Sequence, residues 1–187
     1  MKRTSCVMFL CAAMSFPLKT RAEKSSDPEQ FTILLEPKWE DLEKNKKRKL
    51  FTDKWILAGD ITFKKRAPDF VSLNELHLTW NGKKINHIIG SLYEKTKGVH
   101  LMPIEKYLIC DGSWKSSEQK LILKFEKPRT LYAVNTLSLV LTIPKEMEKV
   151  LQDGYFSLEV ETLPDQFKNY ATENDLSLVM KETPARN

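Results

Sequence analysis

Apolar residues recur at every second position in this chain, and this period of two constrains its fold more than any other feature. Between Trp55 and Phe63, for example, apolar residues alternate with Asp60 and Thr62. Such alternation is typical of strands that turn one face to a core and the other to solvent. The same pattern occurs in residues 31–35, 76–80, 121–125, 137–143, 156–160 and 176–180. The sequence therefore predicts a mainly β protein with antiparallel strands.

Turn and helix signals refine this expectation. Asn81-Gly82 suits a type I′ turn, which predicts a hairpin of 76–80 with 83–93, with Trp80 opposite Lys83 and Leu78 opposite Ile85. A turn at 116–118 predicts a second hairpin, of 107–115 with 119–126. Pro144 and the acidic residues after it favour a helix start, and Gly154 a helix end. We expect a single antiparallel β-sandwich, loosely Ig-like in architecture, over residues 31–182, with one short helix near 144–152.

The first 22 residues have the pattern of an export signal. A basic start at Lys2-Arg3 precedes an apolar stretch over 6–18 and a small-x-small exit at 20–22. We expect a cleavable secretory signal peptide at 1–22, a flexible start at 23–30 and a loose tail at 183–187. The mature chain holds no second apolar run near the ~18 residues that a membrane helix needs, so no transmembrane segment is expected there. The predicted location is periplasmic or extracellular.

Removal of this segment would change the charge and the cysteine content. Four of the basic residues that give the chain its net charge of +5 lie at positions 1–22, which contain no acidic residue. The mature chain is therefore close to neutral. This argues against a nucleic acid partner. Cys6 and Cys11 would leave as well, and Cys110 would remain without an intramolecular disulfide partner.

One charged segment and one aromatic residue form the predicted binding surface. The segment is the sharpest basic cluster of the chain, and it could attract an anionic glycan or lipid. An acidic stretch directly before it favours the alternative of a locally neutralised, solvated face. Trp114 lies next to a turn, where an exposed aromatic side chain could stack on a ligand, whereas Trp55 and Trp80 are expected in the core. The residues of this surface are Lys44, Lys46, Lys47, Arg48, Lys49 and Trp114.

The residue sets that catalysis and metal binding need are weakly represented. In the predicted hairpin, His77 and His87 point to opposite faces and cannot share a metal ion. Cys110 has the neighbours of a buried, inert strand cysteine. No G-x-S-x-G elbow and no phosphate-binding glycine loop occurs. We expect no cofactor, no metal ion and no catalytic residue.

These observations favour an exported, non-catalytic interaction module that binds a protein or a component of the cell envelope. Strand addition at a sheet edge is the expected way of docking. The alternative is a carbohydrate- or lipid-binding domain that uses the basic segment together with an exposed aromatic residue. A hydrolase of unfamiliar type is the third hypothesis. The fold alone does not discriminate between them, because sandwiches serve many functions.

Overall fold

The computed structural model describes residues 32–42, 53–64, 71–95, 105–131 and 134–180. The strands in this part are β1 Thr32–Asp41, β2 Asp53–Lys64, β3 Val71–Asn81, β4 Ile89–Glu94, β5 Leu108–Lys115, β6 Lys120–Leu131, β7 Val134–Pro144, β8 Tyr155–Leu158 and β9 Ser177–Val179. The helices are α1 Glu148–Gln152 and α2 Asp165–Glu173, and 3₁₀ turns occur at Glu105–Tyr107, Lys145–Met147 and Val160–Thr162. No helix of these ranges is long and apolar enough to cross a membrane. The predicted leader, start and tail lie outside the described residues.

The strands form one antiparallel sheet in the order β1-β2-β7-β4-β5-β6-β3-β8-β9. The sheet curls until its ends, β1 and β9, approach each other, and the apolar core lies inside. β5 joins the two layers: its first part, up to Asp111, pairs with β4, and its second part, from Gly112, pairs with β6. Strands that switch layers in this way form the corners of sandwiches and barrels. The prediction of a mainly β, antiparallel fold is confirmed.

A β-bulge in β2 interrupts the alternation of apolar and polar residues between Trp55 and Phe63. Gly59 pairs with Leu139, whereas Leu57 pairs with Val140, so the register shifts at Ala58. An extra residue in one strand reverses the side to which the preceding residues point. Ile61 and Phe63 therefore face the core, but Trp55 and Leu57 lie on the other side of the sheet. The expectation that Trp55 is a core residue is wrong, and it is only half-buried.

The hairpin predicted at Asn81-Gly82 does not form. β3 pairs with β6 on one side and β8 on the other, where Trp80 lies opposite Phe156, and β4 pairs with β5 and β7. Gln119 holds the intervening chain by hydrogen bonds to the backbone of Ile85, at 2.7 Å from its N–H and 2.8 Å from its carbonyl oxygen. Because β6 and β8 occupy both edges of β3, residues 83–93 cannot pair with it, although Asn81-Gly82 favours a hairpin turn. The predicted core position of Trp80 is confirmed.

The other local predictions are closer to the structure. β5 and β6 form the expected hairpin, with Lys115 opposite Lys120. The expected helix is present as the 3₁₀ turn Lys145–Met147 followed by α1. The second helix, α2, was not predicted. It places Phe167 in the core, against the edge of the Phe63 ring at a centroid distance of 5.5 Å.

Candidate functional site

The structure describes one residue of the predicted binding surface, Trp114. Lys44, Lys46, Lys47, Arg48 and Lys49 lie outside the described residues. Trp114 was expected to be exposed, but it is half-buried and packs against the core. It pairs with Leu121 across the β5–β6 ladder and so turns towards the same face as that core residue.

A cleft of about 490 Å³ opens where β5 leaves β4 to join β6. The last β5–β6 pair is Gly112 with Leu123, and beyond it the two strands diverge. The volume falls within the range of about 300 to 1,000 Å³ that small ligand sites occupy. The cleft combines an apolar floor with charged walls, and its lining residues are Glu94, Ile109, Phe125, Glu126, Lys127, Pro128, Arg129, Thr130 and Asn135.

Arg129 crosses this cleft from β6 to β4. Its Nη2 atom lies 3.1 Å from Oε1 of Glu94. Its Nε atom is buried and has no hydrogen-bond acceptor within the part of the chain that the structure describes. An unpaired N–H in such a place is costly, and a guanidinium group suits carboxylate and phosphate acceptors. Arg129 is thus the strongest candidate for a ligand contact in the cleft.

Strand edges also border the cleft. Within the described ranges, Leu108–Asp111 of β5 pairs with β4 alone, and no ladder joins it to β6. On β6, residues 125–128 bulge opposite Asn74, between the pairs Leu73–Arg129 and Glu75–Lys124. Pro128 has no N–H to offer, so the β6 edge is poorly suited to pairing. The β5 edge is the one that can accept another strand.

Cys110 lies on β5 beside the cleft and is the buried cysteine that the sequence predicts. Burial and the neighbouring Asp111 raise the pKa of its thiol to about 12, although the positive charge of Arg129 acts in the opposite direction. A thiol in this state is a weak nucleophile, because the thiolate is the reactive form. Cys110 therefore does not supply the cleft with a catalytic group.

A second polar site lies around Asp60 on β2, in the layer that also contains β7 and β4. Asp60 on β2 is fully buried. Its Oδ2 accepts hydrogen bonds from Nζ of Lys38 and Nζ of Lys95, each at 2.5 Å, and its Oδ1 accepts one from Oγ of Ser138 at 2.6 Å. Burial would raise the pKa of Asp60, but these hydrogen bonds outweigh it and hold the pKa below its usual value. We call this cluster the clamp: it consists of the Asp60 carboxylate and the ammonium groups of Lys38 and Lys95.

This clamp does not have the properties of a serine hydrolase centre. The hydrogen bond to Asp60 raises the pKa of Lys95, against the effect of its own burial, so the lysine stays protonated at neutral pH. Asp60 with its lowered pKa is a weak base. Ser138 is buried in the sheet. A serine nucleophile needs an adjacent group that can take its proton, and neither partner fits that role.

A third cluster surrounds Glu159 near the end of β8. Thr79 donates a hydrogen bond to Glu159, and Nζ of Lys120 lies 3.0 Å from Oε1 of the same carboxylate. Burial would raise the pKa of Glu159, but these two contacts lower it. Nδ1 of His77 lies 3.6 Å from Glu159 Oε2, and its Nε2 lies 3.1 Å from Glu75 Oε1. Among the described residues, no group of His, Cys, Asp and Glu side chains has the arrangement of a metal site.

Sequence reasoning missed the central residues of the cleft and of the clamp. In the sequence, Asp60 is a polar residue of an alternating strand and has the pattern of a solvent-facing position. Arg129 lies in the charged segment 126–129. Neither had a local signal, because their partners Lys38, Lys95 and Glu94 are distant in sequence. Comparison of the chain with protein-family models, with curated proteins and with solved structures found no match. Its function has to be inferred from its own geometry.

Proposed function

We propose that this chain is a non-catalytic binding module that recognises an extended segment of a partner protein in the cleft between β5 and β6. The observation that carries the proposal is the edge of β5 over Leu108–Asp111, which has no second strand partner among the described residues and lies beside Arg129 in the cleft. Its place of action, proposed from residues 1–22, is the periplasm or the outside of the cell. The partner is a protein or another peptide-bearing component of that compartment.

Backbone pairing would supply much of the affinity. A peptide strand alongside Leu108–Asp111 would continue the layer to which β4 and β5 belong. In strand addition, main-chain hydrogen bonds hold the peptide, and pockets for alternate side chains select its sequence. Ile109 is half-buried and Phe125 is buried, so both offer an apolar floor for such a side chain.

Arg129 would supply specificity. Its guanidinium group is already oriented by the ion pair with Glu94, and its side chain lines the cleft and is partly exposed. A carboxylate of the peptide would accept a hydrogen bond from this guanidinium group and compensate its charge. The proposed ligand is therefore an extended peptide with an acidic residue next to an apolar one.

The absence of a poised catalytic group on the described cleft wall supports a binding role over a hydrolase. Glu94 is ion-paired with Arg129, and the Cys110 thiol beside the cleft has a pKa of about 12. The carbohydrate- or lipid-binding alternative depends on residues 44–49, which the structure does not describe, and on Trp114, which is half-buried.

A displayed peptide library tests this proposal. The full chain is used to select peptides, and the selected peptides are titrated into ¹⁵N-labelled protein. We expect acidic peptides to be enriched, and the amide signals of Leu108–Asp111 to shift. Arg129→Gln should weaken binding about tenfold or more, since it removes a charge-assisted hydrogen bond. Lys115→Gln, at an exposed lysine paired with Glu118, is the matched control and should leave affinity unchanged. Selected peptides that bind both variants equally, or no enrichment at all, would contradict the proposal.

A further inference from the structure

The two lysines on Asp60 carry more positive charge than that carboxylate neutralises. Each Nζ lies 2.5 Å from the same oxygen, Oδ2, so the two ammonium groups are no more than 5.0 Å apart. One carboxylate compensates one of the two charges. The other oxygen of Asp60 is taken by Ser138. The second positive charge is partly offset by the exposed Glu36, which lies opposite Asp60 on β1 and acts on Lys95.

Both lysine side chains are partly exposed. The side chains of Lys38 and Lys95 are 35% and 40% exposed, whereas Asp60 beneath them is 0% exposed. Each ammonium has further N–H donors besides the one that Asp60 accepts. Among the described residues, Asp60 is the acceptor that both ammonium groups contact, and Lys38 and Lys95 also lie close to each other. The remaining N–H groups can donate to a ligand while the contacts with Asp60 stay in place.

The sheet holds the two lysines in place. Lys38 lies in the irregular part of β1, where the register shifts between Pro37 and Glu40. Lys95 directly follows β4, and its backbone N–H donates to the carbonyl oxygen of Thr136 at 3.1 Å. Since Asp60 fixes both side-chain ends, little conformational freedom remains to be lost on binding. Such preorganisation strengthens binding.

We propose that Lys38 and Lys95 form a binding site for a phosphate group, with Asp60 as the positioning residue that brings the two ammonium groups together. Lysine binds phosphate as a point charge, and two lysines at this spacing can contact separate oxygens of one phosphate. The phosphate belongs either to a free anion or to a lipid headgroup. This site lies on a different face from the cleft, and it does not depend on the function proposed for the cleft.

Glu36 sets the strength of the site. It lies opposite Asp60 on β1, is exposed, and its negative charge acts on Lys95. A bound phosphate would be repelled by Glu36, since like charges that face each other disfavour binding. Removal of the Glu36 charge should therefore strengthen phosphate binding, whereas loss of either lysine should weaken it.

The test is a titration of the ¹⁵N-labelled full chain with sodium phosphate, compared with sodium chloride at equal ionic strength. We expect saturable shifts around Lys38 and Lys95 with phosphate but not with chloride. Lys38→Gln and Lys95→Gln should each weaken binding about tenfold, and Glu36→Gln should strengthen it several-fold. Each lysine variant leaves Asp60 with one ammonium partner, so the fold should persist, and a thermal melt checks this. Lys115→Gln is the matched control.

Vesicles of equal parts phosphatidylcholine and phosphatidylglycerol show whether the bound phosphate belongs to a lipid headgroup or to a free anion. Retention on these vesicles that needs both lysines and is displaced by phosphate would assign the site to a lipid headgroup. Saturable phosphate binding without vesicle retention would assign it to a free anion. Equal effects of phosphate and chloride, or unchanged binding in both lysine variants, would overturn the proposal.

Discussion

Lys95, the residue after β4, reaches over β7 to place its Nζ atom 2.5 Å from Oδ2 of Asp60 on β2. The contact therefore joins strands that are not neighbours in the sheet. Lys38 from β1 approaches the same oxygen and Ser138 from β7 donates to the other one, so three side chains converge on one buried carboxylate. Removal of the central carboxylate from such a cluster is costly, because it leaves buried charges without their partner.

Asp60→Ala should strongly destabilise the protein. It removes a fully buried carboxylate and leaves Lys38 and Lys95 without their common partner. We expect the free energy of unfolding to fall by about 3 kcal/mol, a value typical of a broken buried ion pair. Urea denaturation measures the change. Asp153→Ala, at an exposed aspartate 3.8 Å from Lys83, should change stability by less than about 1 kcal/mol. Equal small effects of both substitutions would contradict the role of Asp60.

Stability should decrease in acid because of Asp60 and Glu159. Hydrogen bonds in the folded state hold both pKa values below the ordinary 3.8 and 4.5. A lowered folded-state pKa contributes stability that is fully present above the unfolded-state pKa and is lost as the pH falls through the folded-state value. The loss should therefore begin near pH 4.5 and continue below pH 3.8. Urea midpoints measured down to about pH 3 should fall less steeply in Asp60→Asn than in the wild type. Parallel curves for the two proteins would exclude Asp60 as a source.

Cys110 should resist thiol reagents in the native protein. Burial raises the pKa of its thiol to about 12, so the thiolate is scarce at neutral pH. Labelling with Ellman's reagent should be slow in buffer and fast in urea, with Cys110 identified by peptide mapping. A free thiol in a short model peptide serves as the control. Equally fast labelling of the native protein and of that peptide would show that the site opens readily.

Phe167→Ala should destabilise the protein by about 3 to 5 kcal/mol, the usual cost of truncating a buried phenylalanine. The Phe167 ring is 1% exposed and meets the ring of Phe63 edge-on, which ties α2 to the core. Thermal and urea unfolding would measure the effect. Gln166→Ala, at the neighbouring exposed position, is the matched control and should lie within about 0.5 kcal/mol of the wild type. A small effect at Phe167 would mean that α2 contributes little to the core.

Local sequence patterns predict the strands better than they predict the strand partners. The β5–β6 hairpin and the helix near 144–152 depend on neighbouring residues, and both are present. The Asn81-Gly82 hairpin fails because β6 and β8 occupy the edges of β3, and this competition arises only in the folded chain. The bulge at Ala58 reverses the side to which Trp55 points, and the adjacent Gly59 is the local signal that could have indicated it.

The helix α2 could have been found from its sequence. Pro164 precedes it, and Phe167, Tyr170 and Ala171 follow at helical spacing. The clamp at Asp60 could not, since Lys38 and Lys95 reach it from distant parts of the chain. Contacts between residues this far apart in sequence can be identified only from the three-dimensional fold.

The strand order has a consequence for the speed and order of folding. β2 pairs with β7, and β3 with β6 and β8, so two early strands acquire partners made much later in the chain. Closing such long loops costs entropy before any contact repays it, and chains rich in distant pairings fold in milliseconds to seconds. During synthesis, β2 and β3 therefore leave the ribosome with edges that await their partners. Until β7 and β8 are made, these unpaired strand edges favour aggregation of the nascent chain.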